Sequence, residues 1–213
     1  MKGSDYKSEP AENTLIRNPA KVKNNVICRI YSAFYNYCGF ISVYLVIRHL
    51  KGGVMRFSSW SKFDLRDDIK NTKYPGIYAI AISANDISGT PFDYMKKIAY
   101  FGMTNAKRGL RGRLNDFNNT PRDKSGPGHG GAERFRYDFK DGEALAKKLY
   151  VAVCHFRCDV SSIARKDLET KGEVARAEYL AFAKYAELYG ALPKYNDKQK
   201  SPKRKGTLSR SHK

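Results

Sequence analysis

Cysteine is scarce. Four residues, Cys28, Cys38, Cys154 and Cys158, stand in a chain of 213, too few and too unevenly spaced to build a disulfide scaffold. A reducing cytoplasm is the simplest compartment for such a chain. Cys154-His155-x-x-Cys158 lacks a second metal-binding pair, so a structural zinc site finds no support. Carboxylates are also in short supply. The chain has 21 Asp and Glu against 40 Lys and Arg, a formal charge of +19. That imbalance favours a polyanionic partner, nucleic acid first. There is no internal repeat, no phosphate-cradling Gly-rich loop, and no serine or cysteine triad.

Long apolar runs are absent save one, residues 30–47, which is uncharged and reaches the lower end of bilayer-spanning length. Asn36, two serines and four tyrosines dilute it. No small-residue cleavage site follows it, so it makes a poor secretory signal. Three explanations stay open: a packed accessory segment, a membrane anchor, or upstream sequence translated ahead of a start at Met55. The first and the last suit the composition best. Residues 1–25 are polar and lysine-bearing. Residues 1–54 therefore read as an N-terminal extension, 55–197 as the functional domain, and 198–213 as a disordered basic tail. Lys198, Lys200, Lys203 and Arg204 open that tail, which would add salt-sensitive phosphate attraction.

What is present carries more. Hydrophobic residues make up 41% and aromatics 13% of the chain, as in a globular protein. Gly76 to Ile82 is β-branched, aromatic or alanine, bounded by Pro75 and by Ser83-Ala84-Asn85-Asp86, which predicts a strand. Period two puts Tyr78, Ile80 and Ile82 on one face. Lys97 to Gly102 predicts a second strand with Ile98, Tyr100 and Gly102 sharing a face. An antiparallel hairpin joins the two most economically. Leu110, Leu114 and Phe117 then recur at helical spacing, and Arg113 sits beside their stripe. An arginine there needs an anion, from the protein or from a ligand.

Further along, residues 118–131 form a polar loop containing His129 between glycines. Ala132 to Phe139 is basic and aromatic, with Arg134 and Arg136 placed for phosphate contact or for a solvated edge. Leu149 to Phe156 predicts a third, central strand covered on both faces. Gly172 to Tyr189 predicts a helix whose apolar face carries Val174, Ala181, Tyr185 and Leu188. Glu178 lies on that apolar side, where a carboxylate is costly unless paired or metal-bound. Glu173 and Glu187 are alternatives that fall off the stripe. Trp60 reads as a core anchor.

Gly76-Ile77-Tyr78 and Tyr100-Phe101-Gly102, in that order and followed by Leu110-Arg111-Gly112-Arg113-Leu114, resemble the GIY-YIG nuclease superfamily. The first tripeptide matches fully, and Phe101 stands where the second has isoleucine. The resemblance spans roughly residues 60–196. It implies an α+β fold with a small three-stranded antiparallel sheet flanked by helices. It also implies hydrolysis of DNA phosphodiesters, duplex DNA foremost, with one Mg²⁺ or Mn²⁺ held by a late-helix glutamate, here Glu178. The family's Pro-x-Tyr-Asn-like ending is Pro193-Lys194-Tyr195-Asn196, with Asn196 as a supporting polar residue. Tyr78 would deprotonate the attacking water, Tyr100 would position the nucleophile or phosphate, and Arg113 would hold a nonbridging oxygen. A free tyrosine titrates near 10, so the site must lower Tyr78 with positive charge. Lys107 and Arg111 are electrostatic helpers. The His or Tyr usual one turn after the arginine is Phe117 here, and His129 is the residue that could compensate. The competing expectation is a nucleic-acid-binding module that keeps the fold without catalysis.

Overall fold

A computed structural model describes residues 55–204. The expectations for residues 1–54, the apolar run included, and for the tail beyond 204 lie outside the described residues. Among the described residues no helix is long and apolar enough to cross a membrane.

Four antiparallel strands form one sheet in the order β1-β4-β2-β3. They are β1 Ser61–Lys62, β2 Gly76–Ile82, β3 Ile98–Thr104 and β4 Leu149–His155. The expectation of three strands is corrected by β1, whose two residues pair with Val151 and Tyr150 of β4. A strand that short leaves no period-two signal. A 3₁₀ helix, Phe63–Asp68, follows β1. The helices are α1 Gly109–Asn119, α2 Ala132–Asp138, α3 Gly142–Ala146 and α4 Arg165–Tyr189. Helix α4 starts well before Gly172, where the sequence predicts its beginning. Gly172 lies inside the helix facing open space. It costs about 1 kcal/mol relative to alanine there and does not end the helix.

Both faces of the sheet are covered, which explains why β2 and β4 are apolar throughout. Tyr78, Ile80, Val151 and Val153 pack with Leu110, Leu114, Phe117 and Phe135 on one side. Ile77, Ala79, Ala81 and Ala152 pack with Val174, Ala177, Ala181 and Tyr185 of α4 on the other. The predicted stripe of α1 is fully buried. Each such side chain stabilises the fold by about 1.5–3 kcal/mol relative to exposure. On α4, Leu188 is 48% exposed and Ala177 takes its place in the stripe. Small residues on helix and sheet let the two approach closely.

The β2–β3 ladder pairs Tyr78 with Gly102 and Ile80 with Tyr100, then shifts register so that Ala81 faces Ile98. Ala99 is the extra residue of this bulge. Tyr78 and Tyr100 therefore share a face, while Ile98 turns to the opposite cluster. The predicted face-sharing of Ile98 and Tyr100 is corrected accordingly, since a bulge resets strand alternation.

Helix α4 stops at Gly190, whose φ of 71° lets its N–H donate to the Ala186 carbonyl at 2.8 Å. The chain then returns along the free edge of β3. Tyr195 N–H donates to the Ala99 carbonyl at 3.0 Å. The Asn196 side chain accepts from Phe101 N–H at 2.8 Å and donates to the Phe101 carbonyl at 2.8 Å. The segment after it is tied down at several points. Ser201 is 3% exposed, and Arg204 pairs with Asp123 at 2.9 Å and Glu133 at 3.1 Å. Residues 198–204 thus differ from the predicted disordered tail, because Arg204 finds two carboxylates that local composition could not reveal.

Asn196→Ala should destabilise the domain by about 1–3 kcal/mol by removing two hydrogen bonds to a half-covered edge. The midpoint of urea unfolding checks this, and Asn196→Asp, which keeps only the acceptor, should fall between.

Candidate active site

The two tyrosines meet because a glycine stands opposite one of them. Gly102 is the cross-strand partner of Tyr78. A Cβ there would lie 2.5 Å from Tyr78 Cζ and 2.7 Å from Tyr100 Cε1. Its absence lets the Tyr78 ring lie across β3, with the two phenol centroids 6.1 Å apart.

His129 reaches the same point from the loop between α1 and α2. Tyr78 and His129 are 0% and 1% exposed, and Tyr78 Oη lies 2.7 Å from His129 Nε2. Backbone N–H groups of Gly131 and Ala132 donate to His129 Nδ1 at 3.0 and 3.1 Å. The neutral ring therefore carries its proton on Nε2 and donates it to Tyr78 Oη. The imidazole packs edge-on against Phe117 with centroids 5.1 Å apart. A proton-bearing side chain thus stands beside the position where the sequence lacks one. Gly131 makes room, for a Cβ there would come within 2.7 Å of Tyr100 Cζ and 2.9 Å of His129 Cε1.

Arg113 enters from α1. Its Nε is buried and donates to nothing, and it forms no ion pair among the described residues. No carboxylate among the described residues reaches ion-pair distance of it, and Glu178 is linked to it only through its field. Its field reaches Tyr78, Tyr100, His129 and Glu178. Glu178, half-buried on α4, interacts in turn with both tyrosines. Burial lifts the Glu178 carboxyl above its ordinary value, against the opposing pull of Arg113 and Lys198.

Burial also pushes Tyr78 well above the usual tyrosine value. Tyr100 and Glu178 add to this, and Arg113 opposes it. The free site therefore holds Tyr78 as a neutral phenol, against the expectation that the site lowers it. Tyr100 is raised by burial as well, with Arg113 again opposing. Desolvation and then Arg113 push His129 down to about 3, so it is neutral at neutral pH.

The basic residues expected at the site separate into groups. Lys107, just before α1, and Arg111 on α1 are exposed and form no ion pair among the described residues. Arg134 exerts its field on Tyr100 and donates to the Ser201 carbonyl. Arg136 is not brought to the site. Its guanidinium is taken up by the Phe139 carbonyl at 2.6 Å, the Lys140 carbonyl and Asp123. Asn196 supports the site from behind by holding β3, its amide fully engaged with Phe101. Trp60 is a core anchor, 1% exposed. A separate cavity of about 550 Å³, lined in part by Trp60, Lys70 and His155, includes none of the tyrosine-site residues.

No protein-family model, curated protein or solved structure matches this chain. The chemistry must be judged from the residues themselves. They offer two phenols, an imidazole N–H and a guanidinium with a free buried Nε, within electrostatic reach of one half-buried carboxylate on α4.

Folded His129 titrates at about 3 and an unfolded histidine at about 6.5. Between those values the unfolded chain binds more protons, so this contribution to stability is complete above 6.5 and falls as pH drops towards 3. Denaturant midpoints at about pH 7.5 and about pH 4.5 should differ less in His129→Gln than in the wild type.

Proposed function

We propose that this protein is a metal-dependent DNA endonuclease, with a GIY-YIG-type site that hydrolyses phosphodiester bonds. One observation carries the reading. Tyr78, Tyr100, Arg113 and Glu178, distant in sequence, lie within electrostatic reach of one another, and Arg113 forms no ion pair among the described residues, its buried Nε free. An anionic group entering the site would satisfy the buried Nε, and a phosphodiester has the matching geometry.

The donor set fits a hard divalent cation. Among the described residues no group of three or more His, Cys, Asp or Glu is assembled. Mg²⁺ needs only one or two carboxylates when substrate phosphate and water complete its shell. Glu178 would hold it. Such a cation supplies positive charge to the phosphate and to the departing oxygen. Arg113 binds a nonbridging oxygen and stabilises the charge that builds there in the transition state. Tyr78 Oη acts as the phenolate, the minor form at neutral pH, whose charge the His129 Nε2–H and Arg113 stabilise. It orients the attacking water and takes its proton, which returns Tyr78 to the neutral phenol as the hydroxide bonds to phosphorus and the leaving oxygen departs. Tyr100, its ring centroid 6.1 Å from that of Tyr78, positions the nucleophile or phosphate. His129 acts through Tyr78, since its Nδ1 is occupied by two backbone donors and its Nε2 bears the proton.

Cleavage of duplex DNA with Mg²⁺ or Mn²⁺ tests the assignment. Glu178→Ala and Arg113→Ala should each lower the rate about 10²–10⁴-fold. Equal cleavage by all three proteins removes the mechanism. DNA binding without cleavage, indifferent to Glu178→Ala, marks the non-catalytic module instead.

The pH profile tests the base. Since Tyr78 is raised well above 10 in the free site, the reactive phenolate grows with pH across the neutral range. The logarithm of the rate should climb with a slope of about one. Tyr78→Phe should be slow and nearly flat over the same range.

A further inference from the structure

The strand-edge segment does not end its work at Asn196. Residues 197–204 fold back beside α2, held at several points. Ser201 N–H donates to the Asp197 carbonyl at 3.0 Å, and Ser201 Oγ to the Lys194 carbonyl at 2.5 Å. Arg134 donates to the Ser201 carbonyl. Arg204 N–H donates to the Glu133 carbonyl at 3.1 Å, and its guanidinium spans Glu133 and Asp123. The segment is a strap latched at both ends.

Its four cations divide into two kinds. Lys200 pairs with Asp197 at 3.5 Å, and Arg204 is spent on the latch. Lys198 and Lys203 are exposed and form no ion pair among the described residues. The charges of these two reach the site residues. The Lys203 ammonium lies against Gly130, next to His129, where an added Cβ would stand 3.1 Å from Nζ. Its charge is felt at His129, and that of Lys198 at Glu178. Lys203 therefore stands beside the His129 loop, and the charge of Lys198 falls on the Glu178 carboxylate.

We propose that residues 197–204 form a strap in which Lys198 and Lys203 bind backbone phosphates of the DNA on either side of the scissile bond, with Arg204 as the positioning residue. This rests on the nuclease reading above. The division of labour follows from charge. A cation already neutralised by a carboxylate gains little from a phosphate, whereas an unpaired ammonium releases counterions when it meets one. Arg113 is then left to the reacting phosphate, and the strap sets the register of the strand around it.

The full chain is tested with an end-labelled, mixed-sequence DNA duplex, with binding measured across a salt series without divalent cation. Cleavage is measured with Mg²⁺. Lys198→Ala and Lys203→Ala should each weaken binding about threefold to tenfold and reduce the salt slope by about one. KM should rise more than kcat falls. Lys203→Arg should restore binding. Lys200→Ala, the same loss of charge in the same segment, should change little, and Arg204→Ala should resemble the loss of Lys198 and Lys203 together. Equal effects of all three lysine substitutions would overturn the strap while leaving the nuclease intact. Lysine-specific binding without any cleavage would keep the strap and remove the hydrolysis. A wild type that binds no duplex DNA would remove both.

Discussion

The arrangement depends on one close approach. Gly102 lies opposite Tyr78 on the neighbouring strand, and the phenol occupies the space that a side chain would need. From this contact follow the pairing of the two tyrosines on one face and the room for His129 to reach Tyr78 Oη. The bulge at Ala99 matters for the same reason. It leaves Tyr100 on the Tyr78 face while sending Ile98 to the α4 side, so one short strand serves both clusters.

Charge is distributed unevenly around that contact. Burial disfavours the charged forms of both phenols and of the carboxyl. Arg113 works against burial at all three groups, yet in the free site burial prevails. The Arg113 guanidinium thus stands beside two phenols that burial holds neutral. Under the nuclease proposal, the field of that guanidinium is built during folding and not at the moment a phosphodiester binds.

Much of this was legible beforehand. β2 matched its expected span because Gly76 to Ile82 is apolar and bounded on both sides, and the α1 stripe was fixed by Leu110, Leu114 and Phe117. Glu178 stood out as a carboxylate on an apolar face. Other features were hidden for definite reasons. β1 is two residues long and takes its identity from β4. The bulge depends on pairing with a partner strand. The early start of α4 was masked by Gly172. Arg134 and Arg136 look alike in sequence, but only one approaches Tyr100. The other is drawn off by Asp123 and the carbonyls that end α2. The strap was hidden because Arg204 is latched by Asp123 and Glu133, more than seventy positions away.

Asn196 has one more consequence. Its amide imitates a peptide group and occupies the N–H and carbonyl of Phe101, on the one side of β3 without a neighbouring strand. An outer strand with open donors and acceptors invites another polypeptide to add to it. By spending a side chain on that margin, the protein shields the strand that bears Tyr100 from self-association. A chain ending before Pro193 would present it as a template for growth into larger assemblies.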